Sequence, residues 1–347
     1  MSAALPDNAP SPQLRVASVP FGSPYVAAVL PVDTVRVGPA TTPSPWLDPD
    51  HLVAHAHEID VLHVHAGYED MPVRQIEAWT GAVRRSGVPL VVTVHRLRAG
   101  PEASPARHRA RLRALLTTAE VVLTLTPGAA DEIADRFGRT AIVVAHPTLA
   151  APTPGIGRET RLVGLHLGGL EWPVPAAPAR GALVRGALSG ALSGGGRLRV
   201  DVHPGVDLGI ACPELLALAE AGELELKRSD PGDAAAWVRH LQELHVSVLP
   251  DLADSHSSWV ELCRDAGTRV VVPSGGHHAE QWSDVVVYGS DPATGPDATS
   301  LSSAVVAALT RPAPVRVDAV WRAEQRDAVR RVHAQVYRQV AADRVTA

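Results

Sequence analysis

The sequence is poor in lysine and cysteine, and each shortage bears on a class of protein. Of 32 basic residues only Lys227 is a lysine, and the arginines are scattered through helix-like stretches instead of gathering in one run. A nucleic-acid binder carries a basic patch or stripe, and a protein resting on anionic lipid a basic amphipathic helix. Neither is found, and the formal net charge is −5. The two cysteines, Cys212 and Cys263, each sit in an apolar, helix-like setting, so buried free thiols are expected and no disulfide framework. No stretch offers about 18 uninterrupted apolar residues. Residues 1–13 lack the basic and apolar regions of a secretory leader. The expectation is a cytoplasmic protein that neither binds nucleic acid nor inserts into a membrane.

Apolar material is abundant: 46% of 347 residues are hydrophobic against 20% charged, enough for two cores and more chain than one core serves. Residues 1–13, rich in Pro, Ser and Ala, read as a frayed terminus. From 14 to 150 apolar strands (14–20, 59–64, 88–94, 121–126, 141–144) alternate with helices (73–86, 106–118, 129–137). The proline-rich stretch 31–50 reads as irregular connection, and Asp48-Pro49-Asp50 as the cap of a short helix through Glu58. A linker at 151–160 follows, and the rhythm restarts over 161–312 with strands at 162–167, 198–202, 223–227, 246–249, 269–272 and 285–288. Continuous apolar strands alternating with helices indicate parallel sheets covered on both faces. The fold class is α/β, two doubly wound, Rossmann-like domains in series. The echo Gly181-Ala-Leu, Gly186-Ala-Leu, Gly190-Ala-Leu fits inside one helix as a small-residue packing face. The charged amphipathic segment 313–347 reads as a helix placed to cross back and brace the first domain.

Open parallel sheets bind ligands beyond the carboxyl ends of their strands. There the first domain places His63 and His65, then His95 and Arg96. An imidazole at such a position hydrogen-bonds a sugar hydroxyl, shuttles a proton, or merely satisfies loop backbone. His51, His55 and His57 offer two metal ligands on one helical face but no third, so no metal site is expected. In the second domain, Ser257 and Ser258 precede a helix. They cap it, and the N–H groups of its first turn form an anion site suited to phosphate. Glu261, one turn inside, is placed to accept both hydroxyls of a ribose; a structural cap and a solvated carboxylate are the plainer readings. Gly275-Gly276 after a buried strand lets backbone approach a ligand closely.

At these residues the sequence resembles the GT-B glycosyltransferases of the family 4 type, most closely an actinobacterial set. The resemblance is carried by residues 60–65, 89–95, 123–130, 145–147, 162–167 and 256–282, in order across nearly the whole chain. It implies two domains facing across a cleft, with a nucleoside diphosphate sugar held mainly by the second and an acceptor mainly by the first. It also implies retention of anomeric configuration without a metal, the leaving diphosphate helping to deprotonate the acceptor. By position Glu261 matches the carboxylate that holds the donor ribose and His95 the histidine near the donor sugar. Ser257, Ser258, His256, Gly168 and Gly169 complete the expected donor site, with His65 and Arg96 on the acceptor side.

Three departures stand out. The family's acidic residue eight positions before the ribose glutamate is Ala253 here, with Asp254 one step later. Its basic pair after the first strand of the second domain is replaced by His166-Leu167-Gly168-Gly169-Leu170-Glu171, and the acidic residue after its histidine by Arg96. Each charge-assisted hydrogen bond lost to a buried diphosphate forfeits about 1.5–3 kcal/mol, unless the Ser257 helix terminus, Arg264 or Arg269 substitutes. The expected function is a retaining glycosyltransferase that moves a hexosyl-type sugar from a nucleoside diphosphate sugar to a small soluble acceptor, without cofactor; a homodimer is compatible with it. The alternatives are a GT-B pseudoenzyme or ligand-binding subunit that supports a partner enzyme, and a protein that activates a sugar nucleotide for non-glycosidic chemistry.

Overall fold

Runs of valine and leucine, apolar at successive positions, become strands buried along their length, and the amphipathic stretches between them become helices. The computed structural model describes residues 13–99, 104–167, 177–228, 233–250, 255–291, 293–312 and 314–346. The first half contains β1 (Leu14–Val19), α1 (Pro24–Val29), β2 (Thr34–Val37), α2 (Pro49–His55), β3 (Val61–Val64), α3 (Val73–Ser86) and β4 (Leu90–Thr93). It continues with α4 (Pro105–Thr118), β5 (Val121–Thr124), α5 (Pro127–Phe137) and β6 (Ile142–Val143). The second half contains β7 (Leu162–Leu167), α6 (Ala177–Ser193), β8 (Arg197–Val202), α7 (Leu208–Ala211), α8 (Pro213–Glu220), β9 (Glu225–Arg228) and α9 (Ala234–Glu243). β10 (Val246–Val248), α10 (Ser258–Ala266), β11 (Arg269–Pro273), β12 (Val286–Tyr288), the small pair β13 (Ser290–Asp291) and β14 (Gly295–Pro296), α11 (Ala298–Thr310) and α12 (Ala319–Thr346) follow.

Two six-stranded sheets result, in the orders β2-β1-β3-β4-β5-β6 and β12-β11-β10-β7-β8-β9. Their registers are parallel, as in Ala17 opposite Leu62, Leu62 opposite Leu90, and His166 opposite Asp201. β3, β4, β7 and β11 are buried at every position, which is what coverage on both faces requires. The doubly wound architecture expected from the alternation of elements is therefore present in both halves. The stretch 31–50 departs from its irregular reading in β2, an edge strand half exposed at Val35, while the helix expected after Asp48 is α2. There Asp48 Oδ1 accepts from the Asp50 and His51 N–H groups at 3.0 and 2.8 Å with Pro49 at the first helical position, the expected cap.

The contacts divide the chain into two compact units. The first takes the chain up to Thr93, Arg111–Val122 and the segment from Arg330; the second takes Val94–Ala110 and Leu123–Val329. α12 contributes to both. Its later part packs within the first unit, where Tyr337 Oη lies 2.6 Å from His63 Nδ1, Arg330 Nε donates to the Ala28 carbonyl at 3.0 Å, and an Arg344 guanidinium N–H donates to the Ile59 carbonyl at 3.1 Å. The C-terminal helix thus braces the first sheet, as its amphipathic pattern suggested.

In the second unit α6 and α11 pack along the small-residue face. A Cβ at Gly186 would lie 2.7 Å from the Ala298 carbonyl oxygen, and one at Gly190 2.7 Å from that of Ser302. The glycines therefore set the approach of the two helices. One sheet face is filled by Val163, Leu165 and Leu167 with Leu183, Ala187, Leu301 and Val305. The other is filled by Leu162 with Val238, Leu241, Trp259, Val260 and Cys263. Cys212 and Cys263 are both buried free thiols. No helix among the described residues is long and apolar enough to cross a membrane.

Candidate active site

Beyond the carboxyl end of β10 lies α10, and four of the residues singled out from the sequence, His95, His256, Ser257 and Glu261, gather at its start, all within the second unit. Ser257 is the N-cap: its Oγ accepts from the Trp259 N–H at 3.1 Å, and Gly267, at φ +73°, closes the helix in the left-handed conformation. Glu261 is 3% exposed. Its Oε1 accepts from Gln281 Nε2 at 3.1 Å and its Oε2 from Arg322 Nη2 at 3.0 Å. Arg322 also forks onto Asp265, at 2.7 and 3.1 Å, and Thr148 Oγ1 donates to the same carboxylate at 2.8 Å. One guanidinium thus serves two buried carboxylates. Burial pushes the Glu261 carboxyl up to about 7 against the pull of Arg322 and Arg264, and the neighbouring Asp265 adds to the rise. A carboxylate offers about four acceptor positions, so two hydrogen bonds leave it capacity for a ligand.

Histidines line the other side of the turn. The Ser255 N–H and Oγ both reach the His95 carbonyl, at 3.1 and 2.9 Å. His95 Nδ1 lies 2.8 Å from His256 Nε2, and His256 Nδ1 lies 3.2 Å from Ser255 Oγ. A hydroxyl has one proton, and the carbonyl can only accept it, so Ser255 Oγ–H points to the His95 carbonyl. The His256 Nδ1–H then donates to Ser255 Oγ, and the His95 Nδ1–H to His256 Nε2. The closed loop assigns the His95 tautomer, with the lone pair on Nε2. Desolvation, with His146 and Arg96 adding to it, lowers the His95 imidazole to about 3; burial takes His146 to about 4, and His256 well below its ordinary value. These shifts favour neutral imidazoles at physiological pH, and the loop itself requires that His256 Nε2 carry its lone pair.

The loop after β11, which carries Gly275-Gly276, is fastened to the start of α5. Glu280 Oε2 accepts from the Gly128 N–H at 2.7 Å, while His277 lies 3.0 Å from Glu280 and 3.1 Å from Glu132. These two carboxylates raise the His277 imidazole.

The sequence-predicted residues fare unequally. His95, His256, Ser257 and Glu261 come together, with Ser258 half exposed at the first helical turn. The helix terminus is less open than expected, because Gln281 Oε1 accepts from the Ser257 N–H at 2.7 Å. Arg269 is used elsewhere, bonded to Asp284 at 2.8 Å and to the carbonyls of Ala308 and Pro312. Arg264 stays near, 3.7 Å from Glu261, with its guanidinium 3.1 Å over the Trp282 ring. Arg96 is half-buried, and His65, in the first unit, is buried with its ring edge-on to Tyr25 and 3.9 Å from His63. His63 is consumed by Tyr337 and Thr93. His51 and His55 stack at 4.0 Å, and His55 bonds the His51 carbonyl. Gly168, Gly169 and Glu171, with Ala253 and Asp254, lie outside the described residues. Arg322, Asp265 and Gln281 were not singled out from the sequence: Arg322 and Gln281 reach the site from distant stretches of chain, and Asp265 lies one turn after Glu261 on α10.

No protein-family model matches this chain, and no curated protein matches it. Solved structures do. The UDP complex of Anabaena Alr3699/HepE aligns over 88% of this chain and 85% of its own at 13% identity, with a TM-score of 0.55. The pneumococcal O-GlcNAc transferase GtfA, with UDP and GlcNAc, aligns over 84% of this chain and 60% of its own at 9% identity and 0.56. Sucrose-phosphate synthase of Thermosynechococcus elongatus aligns over 89% and 84% at 16% identity and 0.54. At such identities the likeness is one of fold, and the fold, two parallel-sheet Rossmann-like domains, is that of the GT-B glycosyltransferases.

Proposed function

We propose that this chain is a glycosyltransferase of the family 4 type, and of its actinobacterial set, that transfers a hexosyl-type sugar from a nucleoside diphosphate sugar to a small soluble acceptor. The observation that carries the reading is Glu261, held one turn inside a serine-capped helix at a strand end with acceptor capacity to spare, beside a neutral His95 of assigned tautomer. Glu261 accepts the two hydroxyls of the donor ribose. His95 Nε2 accepts a hydrogen bond from a hydroxyl of the transferred sugar. The transfer retains anomeric configuration: the acceptor oxygen attacks on the face the diphosphate leaves, and a diphosphate oxygen takes the acceptor proton. The cation absent from the loop after β7 is supplied by Arg264, next to Glu261, and Arg96 faces the acceptor. His65, buried among rings, shapes the loop after β3. UDP-sugars are the first donors to try, because HepE and GtfA are complexed with UDP.

A donor-hydrolysis assay over a panel of UDP- and GDP-sugars tests this. Turnover is expected for at least one, falling at least about tenfold in Glu261→Gln and His95→Ala, as loss of an interaction worth about 1.4 kcal/mol in the transition state requires. Unchanged turnover in both variants overturns the site. One observation favours a second reading, a ligand-binding protein without transferase activity: Gln281 and the Ser257 hydroxyl already take two N–H groups of the helix terminus. Saturable nucleotide binding with no turnover of any donor or acceptor would select it.

A further inference from the structure

On the face of the second sheet covered by α9, three buried side chains bring one ligand atom each within 4.8 Å of one another: His166 Nδ1, Asp201 Oδ2 and His240 Nε2. His166 and Asp201 are the penultimate residues of adjacent strands and sit directly opposite in register, and His240 comes down from α9. None exceeds 6% exposure. Each imidazole nitrogen is 3.1 Å from the same carboxylate oxygen, but the His166 contact lacks the angle of a hydrogen bond. In a tetrahedral zinc site with metal–ligand bonds of about 2.0–2.1 Å, ligand atoms lie about 3.3 Å apart. The two rings meet at 74° with centroids 5.3 Å apart, so they do not stack face to face. Trp259 and Trp237 wall the cluster, 4.3 and 6.0 Å from the His166 ring. Such an apolar wall limits the access of bulk solvent to a metal site.

The surrounding charge permits a cation. Arg199, on the same face of β8, is bonded to Glu225, Glu243 and Glu159 at 2.9, 2.8 and 3.4 Å. Lys227 pairs with Glu243 and Arg197 with Glu159. Three cations are thus balanced by three glutamates, and Arg199 presents little unscreened repulsion to an ion at Asp201. We propose that His166, Asp201 and His240 bind one divalent transition-metal ion of the zinc class, with water as its fourth ligand. The ion takes the lone pairs of His166 Nδ1 and His240 Nε2, each ring keeping its proton on the other nitrogen. It ties α9 to two central strands, and none of its ligands belongs to the proposed donor site, so it stands apart from the transferase reading. The three residues lie too far apart in sequence for any ligand spacing to announce them.

Metal analysis of the full chain, expressed with zinc in the medium and gel-filtered, tests it. About one zinc per chain is expected, as one mononuclear site requires. Removal with a chelator should lower the thermal midpoint by several degrees and zinc should restore it. Cobalt in its place should give the strong visible bands of tetrahedral Co2+. His240→Gln should abolish binding, and the surface control His57→Ala, at an exposed histidine, should keep it. Less than about a tenth of an ion per chain with a midpoint unmoved by zinc overturns the proposal, as does loss of the ion in the surface control. The wild-type measurements decide the matter even where His240→Gln folds poorly.

Discussion

His146 and His256 are held neutral by burial, and this gives the protein an acid sensitivity with a definite sign. Their folded pKa values lie below the ordinary 6.5, His146 at about 4 and His256 well below. Between those values and 6.5 the unfolded chain binds the extra protons, so stability is full above pH 6.5 and lost as pH falls. Each contributes a slope of up to about 1.4 kcal/mol per pH unit. Glu261, raised to about 7 from 4.5, works the other way: its contribution is full below pH 4.5 and is lost as pH rises through 7. With His95, likewise lowered, three histidines outweigh one glutamate, so urea midpoints should rise from pH 4.5 to 6.5 and then level or dip slightly toward 7.5. His146→Asn should flatten the rise; a wild-type profile flat over that window contradicts the assignment. Ser255 makes a sharper test of the His95 tautomer. Ser255→Ala opens the hydrogen-bond loop, and kcat should fall about tenfold with little change in KM, Ser255→Thr restoring it. Arg322→Met leaves two buried carboxylates without their shared cation and should cost about 3–5 kcal/mol in a urea titration.

At the scale of elements, the glycines of α6 separate close approach from mere helix composition. Gly190→Ala would drive a methyl into the Ser302 carbonyl and Val305, costing about 1–3 kcal/mol as overpacking does. Gly181→Ala on the same helix meets only the flexible end of Arg185 and should gain about 0.5–1 kcal/mol of helix propensity. Chemical denaturation of the two variants checks the opposite signs. This face was legible in the sequence because its repeat could only be helical. So were β3, β4, β7 and β11, whose apolar residues run without interruption because both sheet faces are covered. β2 was not: it is a half-exposed edge strand in a proline-rich stretch, where burial imposes no pattern. At the site, the Ser257 cap and Glu261 were legible because cap and carboxylate share one helical turn. The partners that set the Glu261 charge were not. Arg322 lies 61 residues away on α12 and Gln281 20 residues away after β11, and packing alone brings them there.

For the whole molecule, the two-sheet α/β fold shared with HepE, GtfA and sucrose-phosphate synthase sets the frame in which α10 presents Glu261. Near its start α10 carries a buried carboxylate, Glu261, and at the same turn His95, His256 and Ser255 close a hydrogen-bonded loop. If that arrangement serves a nucleoside diphosphate, binding must depend on the carboxylate itself. Calorimetric titration of UDP, and of GDP beside it, onto the full chain and onto Glu261→Gln is the most direct test. The account predicts saturable binding of one nucleotide in the wild type, weakened at least about tenfold by the loss of a charged hydrogen-bond acceptor in Glu261→Gln. Binding of equal strength in both proteins, or none by either nucleotide at millimolar concentration, would contradict it.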